Sequence, residues 1–484
     1  MFNVYISSQI YIKAKDLPLN VRKMLKERYT FTWKEFRNGA SYENKINLMN
    51  TKKFKDNFWI CLPPNLDYLI PILDEYKLDY LVSDNRCKIT LENPPKFKGT
   101  LRDYQQEVLD MMSNHKYNCV LSLGTGQGKS YLASYLSTHL RTTVLFSASK
   151  TSYITSFINE IKKNIEDWQD NFVEINSEWL KNPIIKPIMV CSIQVLHRPE
   201  ILEALKNKVG CIVSDEIHNS MLGNKHIEGI YGLNAKYRIN LSATPYSKVK
   251  GFIEAGCSPN IVTLEHDIDF TIKYQPVTVS LPDVVSEYKQ CESFHDKKKL
   301  IFGVDEYLPS LVNFIKDIIN LDRQVLLFCT DKTFQENISK LLNSVGVSSI
   351  CLNSNTKKKD IETILSNYEK GKLKVLVSGA SSVEALSLYK LSVFLDIDLS
   401  DNENNVEQKI GRLKRFKEEV SDKSKIYIKI IYDNMTNNKF KFVIKPLVTG
   451  DRLSKYVSLE NQIKLEGFTF REAFEEIFTE EIHD

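Results

Sequence analysis

The residues best suited to chemistry lie in one stretch, Leu121-Ser-Leu-Gly-Thr-Gly-Gln-Gly-Lys-Ser130. The short apolar run Cys119–Leu123 reads as a buried strand, and the residues after Lys129 read as a helix, so the glycines join a strand to a helix N-terminus. Gly124, Gly126 and Gly128, with Thr125 and Gln127 between them, let several backbone N–H groups converge on one anion, and the helix end adds partial positive charge. Lys129 is placed to neutralise β- and γ-phosphates, and the Ser130 hydroxyl to ligate Mg²⁺. The loop departs from the strict G-x-x-x-x-G-K-[ST] pattern because Leu123 stands where the first glycine belongs.

Two further groups fit the same chemistry. The apolar run Cys211–Ser214 ends in Asp215-Glu-Ile-His218. Carboxylates at the C-terminal end of a parallel strand reach the ligand edge of a sheet. There Asp215 can hold Mg²⁺ and Glu216 can orient and deprotonate an attacking water. Ile239–Leu241 leads into Ser242-Ala-Thr-Pro245, where the hydroxyls of Ser242 and Thr244 can bridge to His218. Arg412 and Arg415 are three residues apart on an expected helix and so share a face. Their permanent, planar charge suits a transferring γ-phosphoryl group.

These groups need a scaffold, and the surrounding pattern supplies one. Strand-like runs at Thr143–Ser147, Ile188–Cys191 and Cys211–Ser214 alternate with helical segments near 153–163 and 199–206. Gln324–Cys329, Ser348–Leu352, Lys374–Val377 and Leu391–Asp396 repeat the arrangement. Alternating strands and helices imply parallel sheets covered on both faces. The expected fold is therefore α/β, with two parallel-sheet domains at 96–270 and 271–445, the second without a phosphate loop. Residues 1–95 form a small α/β accessory domain ending at Pro94-Pro95. It carries Arg22, Lys23, Lys26, Arg28, Lys34 and Arg37 among the aromatics Tyr29, Phe31, Trp33 and Phe36, a set able to face nucleic acid. Residues 246–304 read as a lysine-bearing connector, and 446–484 as a C-terminal helical tail.

Bulk properties agree. The 484 residues are 42% apolar and 26% charged, as in water-soluble globular proteins, and exceed one ordinary core. No apolar run approaches the ~20 residues of a membrane span, and no signal peptide is expected. Nine dispersed cysteines without metal-ligand spacing suggest reduced thiols and a cytoplasmic protein. A net charge of +4 requires any nucleic-acid surface to be local.

Leu121–Ser130, Asp215–His218 and Ser242–Pro245 resemble motifs I, II and III of superfamily-two helicases and translocases, whose first motif tolerates a replaced leading glycine. Gln408-Lys-Ile-Gly-Arg-Leu-Lys-Arg415 resembles motif VI, Q-x-x-G-R-x-x-R, residue for residue. The resemblance implies two RecA-like domains sharing one ATP and Mg²⁺ site, with Gln408, Arg412 and Arg415 arriving from the second. Arg102-Asp-Tyr-Gln105 is similar to the element that reads adenine, through Arg102 and Gln105. Ser192 and Gln194 fall where a strand-contacting motif is expected, whereas Ser147–Lys150 matches the usual Pro-Thr-x-x-Leu poorly. In motif V this chain has Gly379, Ala385 and Ser387 in place of the usual Thr, Gly and Asp, leaving Ser387 as the expected nucleic-acid contact. The pairing with a small N-terminal domain resembles phage UvsW-type branch-migration helicases. That implies a monomer acting on forked, branched or partly single-stranded DNA, in a host cytoplasm if phage-encoded, with 3′ to 5′ polarity. An RNA helicase, or a nucleic-acid-binding scaffold without motor activity, are the alternatives.

Overall fold

The fold was obtained as a computed structural model that describes all residues except 38–39, 124–127, 150, 218–228, 243–249, 264–270, 354–355, 380–387, 400–402, 414–423, 433–444, 451–452 and 484. The chain divides into two compact units, Met1–His266 and Asp267–Asp484.

The first unit begins with a five-stranded mixed sheet. Its strands are β1 (Phe2–Ile6), β2 (Ile10–Lys13), β5 (Asn50–Phe54), β6 (Asn57–Leu62) and β7 (Tyr80–Asp84), in the order β5-β6-β2-β1-β7. Strict alternation buries Phe2, Val4, Ile6, Ile10 and Ile12, together with Ile60 and Leu62, in one core with the helices Leu19–Arg28 and Leu66–Glu75. A separate ribbon pairs β3 (Thr30–Arg37) with β4 (Ala40–Asn47). Tyr29 is fully buried, and Phe31 and Trp33 pack on Phe252, with ring centroids 5.7 and 6.5 Å away. Of these aromatics, expected to face nucleic acid, Phe31 and Trp33 join this domain to the one that follows, and Tyr29 packs on Tyr68 within the N-terminal core. The side chains of Lys34, Phe36 and Arg37 lie outside the described residues.

The remainder of the unit is a seven-stranded parallel sheet of β8 (Asn118–Ser122), β9 (Val144–Ala148), β10 (Phe172–Ile175), β11 (Ile188–Ser192), β12 (Cys211–Ser214), β13 (Tyr237–Leu241) and β14 (Ile261–Thr263), ordered β10-β11-β9-β12-β13-β8-β14. Fully buried strands such as Val144-Leu-Phe-Ser-Ala148 reflect cover on both faces. The N-terminal core and one face of this sheet form a single hydrophobic cluster, running from Val4 and Leu69 to Leu145, Met189 and Ile212. Asn65 strengthens the join: its Nδ2 donates to the Glu254 carbonyl at 2.7 Å, and Cys87 bridges to Ala235.

The second unit holds β15 (Ile272–Ser280), β16 (Gln324–Phe328), β17 (Ser349–Leu352), β18 (Val375–Ser378), β19 (Leu391–Asp396), β20 (Lys425–Tyr432), β21 (Val457–Leu459) and β22 (Ile463–Glu466). The order is β17-β18-β16-β19-β20-β15-β21, and β22 also pairs with β15. β15 lies within the stretch read as a connector. Its ladder tolerates Pro276 for a geometric reason. Residues 272, 274 and 280 turn their backbone groups toward the β21/β22 edge, so Pro276 faces that edge too. β21 pairs with Ile272–Tyr274 and β22 with Val277–Ser280, so the missing N–H falls between the two partners. The Gln275 side chain spans the gap, donating to the Asn461 carbonyl at 2.6 Å. Residues 446–484 therefore contain two strands as well as helices, and Phe470 and Ala473 complete the core.

Candidate nucleotide site

In the first unit three neighbouring strands, β12, β13 and β8, carry the three predicted groups to one edge of the sheet. Ser242, at the exit of β13, is fully buried and donates its N–H to Leu121 of β8 at 3.1 Å. The Asp215 N–H binds the Ser147 carbonyl of β9 at 2.8 Å, so the acid is held at the exit of β12. Parallel register aligns these exits because every strand of this sheet runs the same way.

Gly124, Thr125, Gly126 and Gln127 lie outside the described residues, but the end of the loop is defined. Gly128 takes a left-handed φ of +77° and caps the helix Lys129–Leu140. A Cβ there would come within 2.6 Å of Gln105 Nε2, so glycine is required both by its dihedral and by the close approach. That contact also places the Gln105 amide against the loop. Gln105 is itself buried, its Oε1 accepting from the Arg102 N–H at 3.0 Å, which orients the amide. Lys129 Nζ reaches back to the Leu123 carbonyl at 2.8 Å. Ser130 follows in the first turn of the helix, half-buried.

Asp215 is 8% exposed, and its Oδ1 accepts from the Glu216 N–H at 3.0 Å. Burial, then the neighbouring Glu216 charge, push its carboxyl up to about 7, with Lys129 acting in the opposite direction. Glu216 adopts a left-handed φ of 47°, sparsely populated by residues with a Cβ. The donor set fits a magnesium nucleotide: a cradle closed to any side chain at Gly128, a lysine, a hydroxyl and a carboxylate that gains from a nearby cation. Ser130 and Asp215 would hold the ion, which supplies charge neutralisation at the phosphates.

Ser192 ends β11 beside Ala148 of β9, and Gln194 Nε2 donates to the Ser149 carbonyl at 2.8 Å. These residues sit on the sheet's other half, away from β13 and β8. His218, Thr244, Ser387 and Arg415 lie outside the described residues, as does the side chain of Gln408.

In the second unit Arg412 is buried on the helix Glu403–Leu413, whose Val406, Ile410 and Leu413 enter the core. What holds this helix escaped the sequence reading. Lys409 Nζ binds Asp396 at 2.6 Å at the end of β19 and lies 4.2 Å from the centroid of Phe328. Lys429 reaches the same carboxylate at 3.1 Å, and Tyr427 donates to it. Asp398 pairs with Lys298 at 2.6 Å and accepts from Thr330. Burial acts to raise the Asp396 carboxyl, but the two ammonium groups and the hydroxyl prevail and hold it at about 2. Asp-x-Asp at a strand end and Lys409 inside the arginine motif are the signals a reader could have used, though their pairing is visible only in three dimensions.

Comparison with known proteins fits this geometry. Residues 98–247 match the family model "Type III restriction enzyme, res subunit", and residues 310–417 match "Helicase conserved C-terminal domain". An Escherichia phage T5 protein described as a "probable helicase" is 24% identical over 359 residues, covering 72% of this chain and 75% of that protein. In fold, the chain is similar to Saccharomyces cerevisiae Dbp5 bound to RNA and ADP BeF3, with a TM-score of 0.54 and 13% identity over 78% of this chain and 93% of that one. It is also similar to the Mycobacterium smegmatis helicase Lhr bound to ssDNA and AMP-PNP, with a TM-score of 0.50 and 14% identity over 72% of this chain and 48% of that one. Each parallel sheet follows the alternating strand pattern, and its RecA-like fold is the one that the resemblance implied. With these two family models matched in succession and a phage helicase as relative, the chain belongs to the superfamily-two helicases and is an ATP-hydrolysing enzyme.

Proposed function

We propose that this helicase works on DNA, unwinding or branch-migrating forks and junctions during replication, recombination or repair, in the manner of UvsW-type phage enzymes. In this reading ATP binds at the Gly128–Ser130 loop with Arg102 and Gln105 at its base, and Glu216 activates the water. Gln408, Arg412 and Arg415 complete the site from the second unit, and His218, Ser242 and Thr244 couple it to strand contacts by Ser192, Gln194 and Ser387. The observation that carries the proposal is the fusion of the N-terminal domain to the first motor domain through one hydrophobic core. That domain presents a groove of about 560 Å³ lined by Lys15, Arg22, Lys23 and Lys26. A basic surface fixed to the motor can hold duplex phosphates while the motor pulls on a strand. The matched restriction-enzyme model and the phage relative support DNA and an intracellular setting, and in this reading the protein acts as a monomer.

The deciding experiment compares ATPase stimulation and strand separation on forked DNA, four-way junctions, plain duplex and structured RNA at one stated salt concentration. Branched DNA should stimulate most. Arg22→Gln combined with Lys23→Gln and Lys26→Gln should keep basal ATPase while cutting junction processing about tenfold, as the removal of three cations from the phosphates predicts. Equal or greater stimulation by structured RNA would replace this reading with that of an RNA helicase. Removing residues 1–95 outright is a poorer test, because it would strip one side of a shared core.

A further inference from the structure

The N-terminal sheet has two faces, and helix packing uses only one. Opposite the buried Val4, Ile6, Ile10 and Ile12 lie Tyr5, Tyr11 and Lys13, and the register brings Trp59 into line with them: Lys13 pairs with Trp59, which in turn pairs with Lys52. Tyr5 and Trp59 meet edge to face with centroids 5.9 Å apart, and Lys13 Nζ sits 5.5 Å from the Trp59 ring. The three aromatics are half-buried and line an open cavity of about 440 Å³ with Lys52, Lys53 and Phe54. Phe54 is 66% exposed at the tip of the β5–β6 hairpin, beside Lys55. Asp84, the carboxylate that ends β7, is already bound by Arg86 at 2.8 Å.

We propose that this face is a docking platform for a single-stranded segment of nucleic acid, whose bases stack on Tyr5, Tyr11 and Trp59 while Lys13 and Lys52 meet its phosphates. Flat aromatic side chains spaced across neighbouring strands and bordered by lysines match unpaired bases and their backbone, which duplex DNA hides from stacking. The platform lies on the opposite side of the sheet from the helix bearing Arg22, Lys23 and Lys26, so it is a second surface, distinct from the basic groove. The inference rests on the reading of the chain as a nucleic-acid motor but not on its preference for branched DNA. Exposed lysines and edge tyrosines also occur on solvated sheets; what separates this face is three aromatics and Lys52 gathered around one cavity, with Lys13 set over the Trp59 ring.

The test uses the full-length protein without ATP. Photo-crosslinking with oligonucleotides carrying 5-iodouracil, as DNA and as RNA, should label peptides holding Tyr5, Tyr11 or Trp59, and the two sugars show which source the platform accepts. Trp59→Ala with Tyr11→Ala should weaken oligonucleotide binding about 10- to 100-fold, as stacking on aromatics predicts. Lys13→Gln with Lys52→Gln should lower the slope of log affinity against log salt by about 1.4, at ~0.7 for each single-strand phosphate no longer neutralised. Basal ATPase should stay unchanged in both variants. Crosslinks confined to residues 98–417, together with unchanged affinity in a double variant that melts like the parent, would overturn the proposal. So would an unchanged salt slope in the lysine variant together with unchanged oligonucleotide affinity in the aromatic one. Failure of branched-DNA preference alone would leave oligonucleotide binding intact, so the two readings fail separately.

Discussion

Asp215 and Asp396 occupy equivalent places in the two units, each a buried acid at the exit of a central parallel strand, yet their surroundings drive them in opposite directions. Beside Glu216, Asp215 is pushed up to about 7. Between Lys409 and Lys429, Asp396 is held at about 2. The first unit gathers negative charge that a bound cation can relieve, and the second carries its cations covalently. One sheet edge is built to receive a ligand. Its counterpart spends the same position on fixing the helix that bears Arg412.

The contrast is tested most severely by Glu216→Gln, which keeps shape and hydrogen bonding but removes the base. ATP should bind with near-normal affinity while stimulated turnover falls by about 10²–10⁴. Turnover within a few-fold of the parent would remove Glu216 from the reaction. Lys129→Ala should lower turnover by about 10²–10³, because the phosphates then lack their stabilising charge. A variant that keeps near-normal stimulated ATPase would show that the loop is not the nucleotide site.

Stability separates the two acids directly. Asp396→Asn leaves Lys409 and Lys429 buried beside a neutral amide and should cost about 3–5 kcal/mol in denaturant unfolding. In magnesium-free buffer Asp215→Asn removes one of two adjacent acids and should leave stability unchanged or raised. If both substitutions destabilise equally, the opposition between the sheets is wrong.

A smaller effect should appear with pH. The folded carboxyl of Asp396 lies below its unfolded value of 3.8, so its contribution is fully present above about 4 and is lost as pH falls toward 2. The parent should therefore lose stability through that window more steeply than Asp396→Asn, when both are followed by thermal unfolding. Parallel acid limbs would count against the ion cluster.

Much of the scaffold was readable because local pattern and global fold agree. The apolar runs read at Thr143–Ser147 and Gln324–Cys329 became the buried strands β9 and β16. The glycine loop announced itself by spacing, and at Gly128 both the positive φ and the close approach of Gln105 require glycine. What stayed hidden depends on partners far away in sequence. The alternating run at the start of the chain does not show that it turns back on itself as β1 and β2. Phe31 and Trp33 had a nucleic-acid look until Phe252 supplied their neighbour. β15 was masked by Pro276, whose place is acceptable only because two strands from the end of the sequence leave a gap opposite it.

That last feature also sets an order in time. β15 begins the second unit, yet the strands on its two sides are β20 and the β21–β22 pair, the latter reaching Glu466. During synthesis β15 must wait, unpaired along both edges, while more than a hundred residues emerge. An apolar strand held open that long is a surface on which a nascent chain can aggregate. In the first unit β8, which leads into the phosphate loop, waits in the same way, because its neighbours β13 and β14 emerge more than a hundred residues later. Each sheet therefore closes only as the last strands of its own unit are made.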